Sequence, residues 1–154
     1  MSDLIIIGVD HGYAAMKTAH FSFPTGLVEY EHEPYTQKDV LEYDGKHYVV
    51  GSARQPLQRD KTRTEDYYLL TLAAIAKELD YRGMERTAEV LLAAGLPLTS
   101  FGRDKKKFRD YLLRDGKPRW SKEELDTLLP LLNAHLDAAG QVQRFRPRYW
   151  KLLY

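Results

Sequence analysis

The sequence predicts an α/β fold in which a mixed sheet is flanked by helices, with a helical extension at the C-terminus. Two observations support this prediction. Short apolar and β-branched runs separated by turn residues fill the N-terminal half of the chain, whereas the C-terminal half carries apolar residues at helical spacing around one further strand-like run. A chain of 154 residues is long enough to bury a core of this kind as one domain.

The N-terminal half predicts a three-stranded meander followed by a hairpin. An uninterrupted apolar run favours a buried first strand, and an Asp-Gly pair is a strong hairpin signal. The predicted strands span residues 4–9, 15–22, 27–31, 40–43 and 47–50, and the predicted turns contain Pro24, Thr25, Gly26, Asp44 and Gly45. This half therefore predicts a sheet with tight turns.

The period of the apolar residues then changes to that of a helix. A capping box of Thr62 and Glu65 precedes a predicted helix over residues 64–79. The apolar residues at helical spacing in this helix are Tyr68, Leu69, Leu72, Ile75, Ala76 and Leu79. A buried strand over 87–94, stopped by Gly95 and Pro97, and a helix over 104–113 that buries Phe108, Tyr111 and Leu112 are predicted to follow.

A last helix begins at a second capping box. Ser121 and Glu124 form the box, and Trp120 and Leu125 are placed for a hydrophobic staple. One face is lined by Leu125, Leu128, Leu129, Leu132 and Leu136. Pro130 predicts a kink or a split, and Gly140 a stop. We expect residues 114–154 to pack on the domain formed by residues 1–113.

Composition limits the classes of partner and compartment. The net charge of +1 favours neither a nucleic acid nor a membrane as partner. The absence of cysteine excludes disulfides and thiolate metal sites and suits a reducing compartment. Because no secretory or membrane-length apolar run occurs, we expect a soluble, cytoplasmic protein.

The candidate functional site is the turn that follows the first strand. Asp10 is predicted to emerge at the strand end, and Gly12 allows a tight turn whose N–H groups can approach an anion. Lys17 can add positive charge from the next strand, and a carboxylate such as Asp10 can hold a divalent cation directly or through water. An ordinary hairpin with a surface Asp remains the alternative.

These residues carry a resemblance to a known family. The segment Asp10-His11-Gly12-Tyr13-Ala14-Ala15-Met16-Lys17 resembles the first phosphate loop of the actin and Hsp70 ATPases. Residues 43–51, 66–76 and 94–98 are similar, in order and spacing, to the N-terminal domain of bacterial actin-like proteins of the ParM type, which segregate plasmids. The resemblance covers residues 4–113 and implies the ribonuclease-H-like, actin-type subdomain.

The resemblance implies an ATP site with Mg²⁺. Asp10 would contact the water shell of the metal, and Lys17 the phosphate charge. The backbone of Gly12, Tyr13, Ala14 and Ala15 would contact phosphate oxygens, with His11 beside them. Filament formation in DNA segregation is the implied role, with self-association or another actin-like subunit as partner.

After residue 113 the resemblance ends, which leaves two interpretations open. The implied nucleotide cleft lies between two domains, so this chain would supply one wall, and we do not expect it to hydrolyse ATP alone. The chain is then either the N-terminal half of an actin-like protein or a non-catalytic module that regulates or caps an actin-like partner through its C-terminal helix and tail.

A metal-dependent nuclease is a further alternative for the function. Ribonuclease-H-like nucleases also carry an Asp on the first strand, and carboxylates that could join Asp10 at two metal ions are Glu65, Asp66, Asp104 and Asp110.

The tail from Arg144 to Lys151 interleaves cations with aromatic rings, a pattern able to bind nucleic acid. The same pattern fits a terminal strand or helix whose rings pack on the core while its cations stay in solvent, or a protein interface. His20, His32, His47 and His135 predict surface or edge positions, and His11 a turn position.

Overall fold

A computed structural model describes residues 5–12, 14–34, 39–51, 62, 64–85, 87–114, 121–141 and 150–153. The strands in these ranges are β1 (Ile5–His11), β2 (Ala15–Lys17), β3 (Ser22–Pro24), β4 (Leu27–Tyr30), β5 (Val40–Tyr43), β6 (Lys46–Val50), β7 (Val90–Pro97) and β8 (Trp150–Leu153). The helices are α1 (Asp66–Tyr81), α2 (Leu98–Leu113) and α3 (Lys122–Gln141). The α/β class and the helical extension are confirmed.

The larger sheet is mixed, as predicted. Its strand order is β3-β2-β1-β7-β8, with β1 and β7 parallel and the other neighbours antiparallel. β1 lies at the centre because its apolar run can be covered on both faces, and from Ile6 to His11 every residue is buried.

Helices cover both faces of this sheet. Strand alternation sends Ile7 and Val9 to one face, where they pack with buried residues of α1 and α2, among them Leu70 and Phe108. On the other face, Ile6 packs with Ala93 of β7 and with buried leucines of α3, Leu132 and Leu136. The leucine stripe predicted for the last helix is therefore the surface that closes the second face.

Gly8 sets the distance between β1 and α3. A Cβ at this position would lie 2.3 Å from the His135 carbonyl oxygen and 2.8 Å from the Leu136 nitrogen. Both are backbone atoms, so a side chain at position 8 would push the helix away from the strand.

A second sheet of three strands has the order β4-β6-β5 and is antiparallel throughout. The predicted hairpin connects β5 and β6, and both central residues of its turn have positive φ, 51° for Asp44 and 75° for Gly45. That geometry matches the right-handed twist of the strands and explains the Asp-Gly pair.

The predicted meander needs two corrections. The strand expected over 15–22 is broken into β2 and β3, because Thr18 and Phe21 close a tight turn with an N–H to carbonyl bond of 2.8 Å. The strand expected as the third of the meander is β4, which lies in the second sheet. The meander is instead β1-β2-β3, and Pro24, predicted in a turn, ends β3.

The helix starts also differ from the prediction. α1 begins at Asp66 and its N-cap is Glu65, so the predicted capping box, which makes Thr62 the N-cap, is wrong about where the helix starts. The Asp66 N–H instead donates to Thr64 Oγ1 at 3.3 Å. β7 runs through Gly95 to Pro97, because Gly95 pairs with Asp10 on one side and Leu152 on the other, and α2 follows directly.

The start of α3 is confirmed at atomic detail. The Ser121 N–H donates to Glu124 Oε2 at 2.8 Å, and the Glu124 N–H to Ser121 Oγ at 3.2 Å. Pro130 lies inside one continuous helix, so the predicted split is wrong. Pro130 is exposed, so water can donate to the helix carbonyl that lacks a partner because proline has no N–H. The helix passes Gly140 and ends at Gln141. Trp120 lies outside the described residues.

Candidate functional site

Asp10 and Lys17 form a largely buried ion pair across the β1–β2 hairpin. They are direct partners in the strand register, and Lys17 Nζ lies 2.9 Å from Asp10 Oδ2. The exposed fractions of the two side chains are 12% for Asp10 and 10% for Lys17. The seven-residue spacing of the motif is thus the spacing that places both side chains opposite each other. β1 continues to His11, so Asp10 does not emerge at the strand end as predicted.

Gly12 is required by a close backbone approach. A Cβ there would lie 2.4 Å from the Ala15 carbonyl oxygen, which no real side chain tolerates. The Gly12 N–H, predicted to face an anion, donates to the Asp10 carbonyl at 3.2 Å. The predicted tight turn is present, and its glycine is held against the chain that returns in β2.

The carbonyl groups of the turn point into the protein. Thr25 Oγ1 donates to the Gly12 carbonyl at 2.8 Å, and the Thr25 N–H donates to the Ala14 carbonyl at 3.0 Å. The hydroxyl of Tyr67, on α1, approaches the Gly12 carbonyl at the longer distance of 3.4 Å. One buried residue therefore engages the carbonyls on both sides of position 13. Tyr13 itself lies outside the described residues; Ala14 is exposed and Ala15 is buried.

His11 lies in the core and not on the solvated turn where it was expected. It is 1% exposed, and its ring meets Phe108 edge to face at a centroid distance of 5.0 Å. His11 Nε2 lies 2.8 Å from Thr71 Oγ1, whose single proton is donated to the Tyr67 carbonyl at 2.6 Å. The hydroxyl oxygen must then accept from His11, which places a proton on Nε2.

A buried carboxylate lies farther along α1. Glu78 is fully buried and accepts hydrogen bonds from Thr18 Oγ1 at 2.8 Å and from the His20 N–H at 3.0 Å. His20 Nδ1 lies 3.0 Å from both of its oxygens, and Arg82 Nε lies 3.4 Å away. Burial alone would raise the pKa of Glu78, but the bonds from Thr18 and His20 hold that pKa below its ordinary value.

Sequence reasoning did not identify the buried hydrogen-bonding roles of Thr25, Thr71 and Glu78. The buried stripe of α1 combines apolar and polar side chains at helical spacing, namely Tyr67, Leu70, Thr71, Ala74 and Glu78. Of the apolar residues expected at helical spacing, Leu69 and Leu79 are buried, whereas Tyr68, Leu72, Ile75 and Ala76 are only partly so. A helical period drawn through polar residues as well would have found this stripe.

The carboxylates of the nuclease hypothesis do not form a metal cluster in the described part of the chain. No group of three His, Asp or Glu residues there could hold a metal ion. Glu65 pairs with Arg114 at 3.1 Å, and Asp110 with Arg109 at 3.8 Å. Burial raises the pKa of Asp66. Asp10 is a single carboxylate already paired with an ammonium group, which fits a metal contact through water better than direct ligation.

The fold and this turn define an α/β domain whose first hairpin carries a paired Asp and Lys around a sterically required glycine. Residues 8–124 match the sequence model of the actin-like proteins N-terminal domain. The chain belongs to this family, which confirms the resemblance at that level. Neither the curated proteins nor the solved structures include a significant match to the chain. In the described ranges, no helix has the length and apolar character needed to span a bilayer.

Proposed function

We propose that this chain is the nucleotide-binding N-terminal domain of an actin-like, filament-forming protein of DNA segregation. Family membership supports the class, and the Asp10–Lys17 pair is the observation that supports the nucleotide. ATP with Mg²⁺ is the proposed ligand, and the cytoplasm the proposed location. The ribonuclease-H-like topology belongs to the same proposal, supported by the β1-β2-β3 meander with β7 parallel to β1.

The ion pair suits phosphate binding because it holds a lysine in place without exposing it fully. Lys17 is oriented by Asp10, so the ammonium group loses little conformational freedom when a phosphate oxygen becomes a further partner. Asp10 would contact the water shell of Mg²⁺, which neutralises phosphate charge when bound. The pair thus supplies one charge for each component of a magnesium nucleotide.

Binding without hydrolysis is the activity proposed for the chain by itself. A nucleotide held by one wall would remain largely in water, and such a site cannot exclude the solvent that competes with catalysis. Hydrolysis and filament growth would require a second domain or another actin-like subunit.

Equilibrium titration with a fluorescent ATP analogue tests this proposal. We expect Mg²⁺-dependent binding on the order of micromolar affinity, lost by at least about tenfold in Asp10→Ala and Lys17→Gln, because each removes a charge from the site. Glu29→Ala is the control, since Glu29 forms an exposed pair with Lys46 at 3.0 Å on the second sheet. Circular dichroism must show that the variants are folded. Absence of binding by the folded wild type would contradict the proposal.

A non-catalytic regulatory module is the second candidate. It is favoured because groups of the turn that would bind a nucleotide already have partners within the protein. Asp10 is neutralised by Lys17, and the Gly12 N–H is engaged by the Asp10 carbonyl. Sedimentation with an actin-like filament separates the two candidates. A nucleotide-independent change in filament length or mass, together with no nucleotide binding, supports the module; ATP-dependent assembly supports the first candidate.

A further inference from the structure

The turn after β1 is held from behind by a residue that lies outside the motif. Thr25 is 1% exposed and lies in the connection between β3 and β4. Its hydroxyl donates a hydrogen bond to the Gly12 carbonyl, and its N–H donates one to the Ala14 carbonyl. The bond of 2.8 Å from the hydroxyl is of ordinary, unstrained length.

The direction of these carbonyls matters to an anion. A carbonyl oxygen carries partial negative charge and repels phosphate, whereas a peptide N–H attracts it. In a trans peptide the carbonyl of one residue and the N–H of the next residue point in opposite directions. Carbonyls anchored at Thr25 therefore favour N–H dipoles on the side of the turn that faces away from Thr25.

We propose that Thr25 is a positioning residue of this turn, which holds the Gly12 and Ala14 carbonyls away from bound phosphate. This inference rests on the proposed nucleotide function. Thr25 acts through the backbone and makes no contact with the ligand itself. The closely placed Ala15 carbonyl, which Gly12 alone accommodates, limits any other path for the turn.

The test compares three variants of the full chain. Thr25→Val removes the hydroxyl and keeps the shape and the backbone N–H, and Thr25→Ser restores the hydroxyl. Thr18→Val is the matched control, because Thr18 is fully buried and donates its hydroxyl to Glu78, away from the turn. The readouts are amide hydrogen exchange at Gly12 without ligand, and affinity for the fluorescent ATP analogue and for inorganic triphosphate, both with Mg²⁺.

We expect Thr25→Val to raise Gly12 exchange and to weaken both affinities by about tenfold each, the equivalent of one buried hydrogen bond. Thr25→Ser should recover most of both effects. Thr18→Val should lower the unfolding temperature and leave Gly12 exchange and affinity unchanged.

Two failures are distinguishable. If the wild type binds and Thr25→Val binds equally well, or if Thr25→Val resembles Thr18→Val in both readouts, the positioning role is overturned and the proposed function stands. If the folded wild type binds neither ligand, the proposed function falls, and the role of Thr25 in affinity falls with it.

Discussion

Glu78 is the residue that fastens the β2–β3 turn to α1. Its carboxylate has no exposed surface, yet it stays charged because donors surround it: the Thr18 hydroxyl and the His20 N–H from the β2–β3 turn, and Arg82 from the C-cap of its own helix. His20 also stacks on Tyr81 at a centroid distance of 3.9 Å. A buried charge without such donors would cost several kcal/mol.

The lowered pKa of Glu78 predicts how the free energy of unfolding changes as the pH falls. The native state binds fewer protons here than the unfolded state, so this carboxylate stabilises the fold above the unfolded pKa, about 4.3. The contribution is lost as the pH falls through the lower, folded pKa. We expect Glu78→Gln to lose about 2 kcal/mol at neutral pH, and this difference to shrink below about pH 4. Urea unfolding across the acid range measures it.

The matched control is Glu29→Gln on the second sheet. Glu29 pairs with Lys46 at the surface, so we expect a change of at most about 0.5 kcal/mol at any pH. A difference between wild type and Glu78→Gln that stays constant from neutral to acid pH would contradict this prediction, because it would show that folding does not lower the pKa of the Glu78 carboxyl.

The helices and strands that could be predicted from the sequence are those whose signals are local. β1 followed from its apolar run, the β5–β6 hairpin from Asp44 and Gly45, and the α3 start from Ser121 and Glu124. The Asp10–Lys17 pair was within reach too, because a short hairpin fixes which residues lie opposite each other.

The missed features depend on partners that are distant in the sequence. Thr71 is buried because His11 bonds it from β1, and Glu78 because Thr18 does; each pair is separated by 60 residues. The helical period of α1 can place both residues on the buried stripe, but it does not show which strand residues bond them. β4 joined the second sheet for a similar reason, since its pairing with β6 is a non-local choice.

The close contact between β1 and α3 at Gly8 can be tested by adding a single methyl group. We expect Gly8→Ala to cost about 3 kcal/mol, because the new methyl group meets backbone atoms of His135 and Leu136 that only a helix displacement can move. Gly83→Ala is the control: Gly83 has a φ of 68° and open space around it, so a side chain pays only a conformational cost of about 1 kcal/mol. Chemical denaturation measures both, and equal losses would contradict the close approach.

For the whole molecule, the question is whether α3 and the family domain unfold together. The family match ends at residue 124, within the first turn of α3, and the division at residue 113 stays a prediction. Yet α3 closes one face of the central sheet, where Ile6 and Ala93 would otherwise meet water. Burial shared between segments in this way makes them one cooperative unit.

Two neighbouring leucines of α3 test this cooperativity. Leu136 is fully buried and Leu131 is 45% exposed. We expect Leu136→Ala to cost about 2–5 kcal/mol through lost transfer energy and a cavity, and Leu131→Ala at most about 0.5 kcal/mol. If the molecule is one unit, Leu136→Ala will lower the free energy of opening, measured by amide hydrogen exchange, by the same amount in the buried turns of α1 as in α3. Both helices then open only in global unfolding. Faster exchange confined to α3, with α1 unaffected, would show that the helix is an independent appendage, and the sheet face beneath it would then have to be stable when uncovered.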